Sequence, residues 1–147
     1  LAGGQDAGGV RVLGSAGEWP RQLAADRGPV RDRPLRLAAS RSHTPAWMER
    51  FAAELGGAEL VPCGSVGFKV ATILFGRADV YVHKVGLKEW DTCAPEVVAR
   101  AAGYTVCRFD GAEHRYNQRD PRNGELVVCR PWLRDRVLET LAAVGPA

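Results

Sequence analysis

The segment SVGFKVATILFG, residues 65–76, limits what this chain can become more than any other stretch. It has helical length, opens on a serine suited to capping, and is apolar on nearly all sides. Such a helix needs cover on more than one side, which predicts a central position. Runs of β-forming residues surround it: LRLAAS (35–40), AELVPC (58–63), ADVYVH (78–83), YTVCRF (104–109) and ELVVCR (125–130). Helical stretches lie between them. Thr44 is placed to cap a helix with Pro45 at its first position. Trp47, Met48, Phe51 and Leu55 then share one face until Gly56-Gly57 stops the helix. Asp91 opens another helix, which stops at Gly103. Pro131 opens the last, with Leu133, Val137, Leu138 and Leu141 along one stripe. Strands alternating with helices predict a layered α/β domain, its mixed, mostly central sheet flanked by helices.

The folded part is expected over residues 34–147. Residues 1–33, with Gly3-Gly4, Gly8-Gly9 and many arginines, read as a loose hairpin or linker in which GVRVLG forms one short strand. Apolar residues make up 46 % and charged residues 25 %, so the composition is globular and not disordered. No run reaches the roughly 18 apolar residues of a membrane span. The net charge of +3 is mild, and neither a nucleic-acid polymer nor a membrane is expected as a partner. The four cysteines form no C-x-x-C, and each lies among apolar neighbours. They read as reduced, buried thiols of a cytoplasmic protein.

Four stretches can carry chemistry. SRSH (40–43) ends a strand and starts a helix, where Ser40, Arg41, Ser42 and His43 could donate hydrogen bonds to a phosphate or simply cap the helix. GSVGFK (64–69) also joins a strand to a helix: Gly64 and Gly67 permit close backbone approach, Ser65 can cap, and Lys69 sits in an apolar helix where it must snorkel or meet an anion. It is not a Walker A loop. In GLKEWD (86–91), Asp91 is a helix cap or a metal ligand, and alone it cannot complete a Mg²⁺ site. Glu89 could face a pocket or solvent. YNQRDP (116–121) reads as a structural polar loop.

Taken in order, LAASRSH, GSVGFKVATILFGRADVYVH, EWDTCAPEVVARAAG and RYNQRDP resemble the C-terminal half of the inositol monophosphatase superfamily. SRSH and the Y-N loop narrow the resemblance to its 3'(2'),5'-bisphosphate nucleotidase branch. It covers residues 35–130 well and the first 33 poorly. The resemblance implies a Mg²⁺-dependent phosphatase acting on adenosine 3',5'-bisphosphate, and on 3'-phosphoadenylyl sulfate as a further substrate, in sulfur metabolism. Asp91 would be the metal ligand of this half, with Glu89 and Trp90 flanking the metal. Ser40, Arg41, Ser42 and His43 would bind the nucleotide and its phosphate, and Gly64, Ser65 and Lys69 would border the same site. Two or three Mg²⁺ ions would clamp the scissile phosphate and activate water.

The family's other metal ligands, a Glu-Glu pair and an Asp-Pro-hydrophobic-Asp-Gly-Thr motif, do not occur in these 147 residues. The expectation is therefore a C-terminal lobe that works with an N-terminal lobe of the same protein and is inactive alone. Arg77 and Lys84 have no role in the pattern. Inositol monophosphatase or fructose-bisphosphatase activity, and a non-catalytic nucleotide-binding module, are the competing readings.

Overall fold

The computed structural model describes residue 30, residues 32–42 and 44–145, and the backbone of residues 3–6 and 9–12. Near the start, β1 (Gly3–Asp6) and β2 (Gly9–Val12) pair antiparallel, with Gly3 opposite Val12. The short strand read in GVRVLG thus has a partner strand just before it.

The remaining strands are β3 (Arg36–Ser40), β4 (Glu59–Cys63), β5 (Val80–Lys84), β6 (Thr105–Cys107) and β7 (Glu125–Cys129). They form one sheet in the order β4-β3-β5-β7-β6. β3 is parallel to β4 and β5, while β7 runs antiparallel to β5 and β6. The helices are α1 (Ala46–Glu54), α2 (Val66–Leu74), α3 (Glu89–Ala101) and α4 (Arg134–Val144).

Alternating side chains divide the core between the two faces of the sheet. Leu37, Val80, Val82, Val127 and Cys129 pack with Trp47 and Phe51 of α1 and Val137 and Leu141 of α4. Ala38, Tyr81, Leu126 and Val128 pack with Val70, Ile73 and Leu74 of α2 and Ala99 of α3. The result is a layered α/β fold with the mixed sheet in the middle, as the alternation predicts. Strands covered on both faces explain the nearly continuous apolar runs of β3 and β7.

Several local expectations are corrected. Pro45 occupies the cap position of α1, and the Thr44 hydroxyl donates instead to the Ser40 carbonyl at 3.0 Å. Pro131 opens a 3₁₀ turn, Pro131–Leu133, and α4 follows it. α2 is not central: it lies on one face of the sheet, with Phe68 56 % and Phe75 41 % exposed. Its apolar excess is therefore surface among the described residues. Cys63, Cys107 and Cys129 are buried free thiols as expected, but Cys93 is exposed because it falls on the outer side of α3. Gly56 and Gly57 do end α1, and both have positive φ, +92° and +75°, which a side chain would oppose.

Candidate anion-binding cleft

At the carboxyl ends of β3 and β5 a cleft of about 530 Å³ opens between Ser40, Lys69, Tyr81, His83, Lys84 and Val85, with Trp47 and Met48 of α1 as its apolar wall. Parallel β3, β4 and β5 all deliver their ends to this side, the usual place for ligands in an open α/β sheet.

Lys69 is the unusual member. It lies one turn into α2 and only 4 % of it is exposed. No carboxylate stands within ion-pair distance of it among the described residues; the aromatic ring of Tyr81 does, with Nζ 5.3 Å from its centre. Burial pulls its pKa down, with Cys63 opposing weakly. A buried ammonium without a counter-ion is costly unless an anion joins it.

The two strand residues beside it have fixed hydrogen-bond roles. His83 Nε2 is 2.8 Å from the Val85 carbonyl, which can only accept, so the ring proton sits there. Nδ1 is then bare and accepts the Tyr81 hydroxyl at 3.1 Å. Burial lowers the His83 pKa and Lys69 adds to it, against the Val85 carbonyl and Asp91, so the ring is held neutral. Tyr81 is driven upward by burial and then by Asp91, and keeps its proton. Val85, the acceptor, has φ +74°, an outlier for a β-branched residue.

Asp91 does not begin its helix. α3 starts at Glu89, and Asp91 in the first turn accepts the Lys88 backbone N–H through Oδ2 at 3.0 Å, the returning half of a capping box. Its half-buried carboxylate is close enough to act on Tyr81 and His83. Glu89 is half-buried and does not line the cleft: its two oxygens accept the N–H groups of Asn117 and Gln118, both at 2.9 Å. That clamps the YNQ loop onto the first turn of α3. Trp90 is exposed, with the Lys88 ammonium 5.0 Å from its ring centre.

Among the other expected residues, Ser40 lines the cleft, whereas Arg41 and Ser42 are exposed and His43 lies outside the described residues. Arg41 donates its backbone N–H to the Cys63 carbonyl at 3.1 Å, tying the end of β3 to that of β4. Ser65 caps α2, accepting the Phe68 N–H at 3.3 Å. A side chain at Gly67 would meet nothing within 4 Å, and at Gly64 only the Arg41 guanidinium at 3.5 Å, so neither glycine is demanded by the protein's own packing. Gly64, Ser65, Glu89, Trp90 and Asp91 do not line the cleft itself.

Behind α3 lies a polar cluster that no local pattern announced. Glu96 accepts Arg100 Nε at 2.7 Å and the Tyr116 hydroxyl at 2.6 Å. Its Oε2 is also 2.9 Å from His114 Nδ1, while His114 Nε2 is 2.6 Å from the Glu125 carbonyl. Both imidazole nitrogens face acceptors, which favours the charged ring. Burial opposes ionisation of Glu96, but hydrogen bonds from His114, Tyr116 and Arg100 win and hold its pKa at about 2. Burial likewise lowers the His114 pKa, and the Glu96 carboxylate and Glu125 carbonyl outweigh it, for a net rise.

Among the described residues no three His, Cys, Asp or Glu side chains gather as a metal site, and no helix is long and apolar enough to cross a membrane. Residues 24–144 match the model of the inositol monophosphatase family. A 3'-phosphoadenosine 5'-phosphate phosphatase of Mycobacterium bovis is 38 % identical over 108 residues, which are 74 % of this chain and 40 % of that protein. The chain therefore spans well under half the length of this relative. CysQ of Bacteroides thetaiotaomicron, described as a bacterial member of the inositol monophosphatase family, superposes with a TM-score of 0.58 at 34 % identity, covering 70 % of this chain and 39 % of its own. An IMPase of Thermotoga maritima superposes with a TM-score of 0.68 over 97 % of this chain and 51 % of its own, at 16 % identity, a likeness of fold. The chain belongs to the inositol monophosphatase family.

Proposed function

We propose that this chain is the substrate-binding lobe of a phosphoric monoester hydrolase that removes the 3'-phosphate of adenosine 3',5'-bisphosphate, with 3'-phosphoadenylyl sulfate as a further substrate. Residues 34–147 form the lobe, and an N-terminal lobe of the same protein completes the active site. The protein is cytoplasmic and serves sulfur metabolism. The observation that carries this reading is the buried ammonium of Lys69, without a carboxylate among the described residues, in a cleft at the strand ends. The Mycobacterium bovis relative, a 3'-phosphoadenosine 5'-phosphate phosphatase, supports the substrate class.

Within the cleft, Lys69 gives a charge-assisted hydrogen bond to a substrate phosphate. Ser40 adds a hydroxyl, exposed Arg41 and Ser42 follow it at the end of β3, and His43 is a further phosphate-binding residue of this reading. Gly64 and Ser65 leave room for the ligand at the start of α2. Trp47 and Met48 offer an apolar wall for a base. Asp91 would hold a Mg²⁺ ion, and Glu89 and Trp90 frame that turn. One carboxylate suits a hard cation but does not make a site, so the remaining ligands come from outside this chain. When bound, the metal clamps phosphate and activates water. The lobe alone is inactive.

Calorimetric titration of the chain with adenosine 3',5'-bisphosphate and with inositol 1-phosphate, with and without Mg²⁺, tests the reading. The nucleotide should bind more tightly, and any gain from Mg²⁺ should vanish in Asp91→Asn. Equal or tighter binding of inositol 1-phosphate would favour the inositol phosphatase alternative. No binding of either ligand to folded chain would refute the assignment.

A further inference from the structure

The first cleft does not end at Val85. Lys84 and Val85 also line a second hollow of about 290 Å³, with Lys88, Arg108, Arg122 and Glu125. Arg108 and Arg122 in turn line a third, of about 320 Å³, with Arg115 and Glu113. The three form one continuous surface, from the ends of β3 and β5 to the loop before β7.

Its charge is one-sided. Among the described residues five cations, Lys84, Lys88, Arg108, Arg115 and Arg122, line it with two carboxylates, Glu113 and Glu125, while Asp110 and Asp120 flank it, and each of the four carboxylates is already engaged, Asp110 by the Ala112 N–H at 2.9 Å and Arg108 at 3.9 Å. Glu125 accepts the Phe109 N–H at 3.3 Å and lies 3.6 Å from Arg108. Asp120 pairs with Arg122 at 2.6 Å. Glu113 is 3.5 Å from Arg100, which stands outside the hollows. Lys88 and Arg115 make no ion pair among the described residues; Lys88 lies against the ring of Trp90. Concave surfaces with an excess of one sign concentrate the opposite ion. The segment that carries Lys84 and Lys88 is also held in place: the Val85 N–H donates to the Gly124 carbonyl, the Glu89 N–H to Pro121 at 2.8 Å, and the Asn123 N–H to Leu87 at 3.0 Å. The cations thus project from a fixed frame and not from a loose loop.

We propose that this basic surface beyond Val85 is a second anion site, separate from the Lys69 cleft, for a phosphate or sulfate group carrying two or more negative charges. The anion could be free in solution or the far end of a ligand seated in the first cleft; the chemistry is shared. The inference stands apart from the proposed phosphatase activity, because it needs only a multivalent anion.

Titration with inorganic pyrophosphate, in low salt, reads the site directly. The native chain should bind it, and binding should weaken with added salt. The double variant Lys88→Gln/Arg115→Gln should bind about tenfold more weakly, while Lys69→Met keeps this component. Binding unchanged in the double variant, binding abolished in Lys69→Met, or no binding by the native chain would each overturn the proposal. Adenosine 3',5'-bisphosphate and adenosine 5'-monophosphate then separate the sources. A loss in the double variant that extends from pyrophosphate to the bisphosphate but not to the monophosphate places the far end of the ligand here. Loss of pyrophosphate alone assigns the site to a free anion. Failure of the phosphatase reading would instead appear as indifference to nucleotide with the pyrophosphate site intact.

Discussion

The two ends of β5 bury charge in opposite ways. Just before the strand, Asp79 is fully buried and saturated: Arg33 donates to its two oxygens at 2.7 and 2.9 Å, the Arg36 backbone N–H adds 2.8 Å, and Arg130 Nε lies 4.0 Å away. Beyond the other end, Lys69 is nearly as buried and, among the described residues, lies against the ring of Tyr81 with no carboxylate in ion-pair reach. Comparable burial thus serves different ends. A paired buried charge fixes the chain, here pinning Arg33 and the entry to β3 beneath the sheet. An unpaired one carries a desolvation cost that the fold does not repay, and marks where a ligand is expected. The Glu96–His114–Tyr116 cluster is of the first kind, and ties the loop of residues 114–125 to α3.

Breaking the saturated end should have the largest effect. Asp79→Ala leaves Arg130 buried without its carboxylate, although half-exposed Arg33 can turn to water. About 3 kcal/mol of stability should be lost, read as the shift in urea midpoint at constant slope. A loss below about 1 kcal/mol would mean that the pair is solvent-screened and not structural. Glu96→Gln should cost less, about 2 kcal/mol, since Tyr116 and Arg100 can still find an amide oxygen while His114 loses its anion.

The same cluster gives a pH dependence with a definite sign. Glu96 has a lowered pKa in the fold, so its contribution is present above its ordinary value of 4.5 and is lost as pH falls toward about 2. His114 has a raised one, so its contribution is full below its ordinary 6.5 and fades as pH rises through the folded value. Stability from this pair should peak between these limits. Glu96→Gln should flatten the decline on both sides. A mutant whose pH profile parallels that of the native chain would contradict the pairing.

The saturated and unsaturated charges also differ in how far the sequence revealed them. Lys69 was legible because a lysine inside SVGFKVATILFG breaks an apolar pattern. All five strands of the main sheet were legible too, from β-forming runs bounded by glycine, proline and turn residues. Helix starts were less so. Thr44 and Pro131 had the right types for capping and first-turn positions, but the exit path from β3 gave Thr44 another partner, and a 3₁₀ turn intervened before α4. Asp91 looked like a cap and is a third-position partner of one, because the turn begins at Glu89. His83 went unnoticed inside ADVYVH, where its spacing of two from Tyr81 was the available sign that both share a face. Glu96, His114 and Tyr116 could not be assembled at all. They come from a helix and a loop some twenty residues apart, and only the folded arrangement brings them within hydrogen-bond reach.

The smallest stability effect falls at the unsaturated end, and it carries the most information. Lys69→Met keeps the length and apolar stem of the side chain and removes the buried charge, so stability should stay the same or rise by about 1 kcal/mol. Calorimetric titration of adenosine 3',5'-bisphosphate into the native chain and into Lys69→Met, beside a urea denaturation of each, is the most direct test. Nucleotide binding should be at least about tenfold weaker in a variant no less stable than the native chain. Equal affinity in the two proteins, or a variant that loses stability in step with affinity, would mean that Lys69 is part of the fold and not the anchor of a ligand.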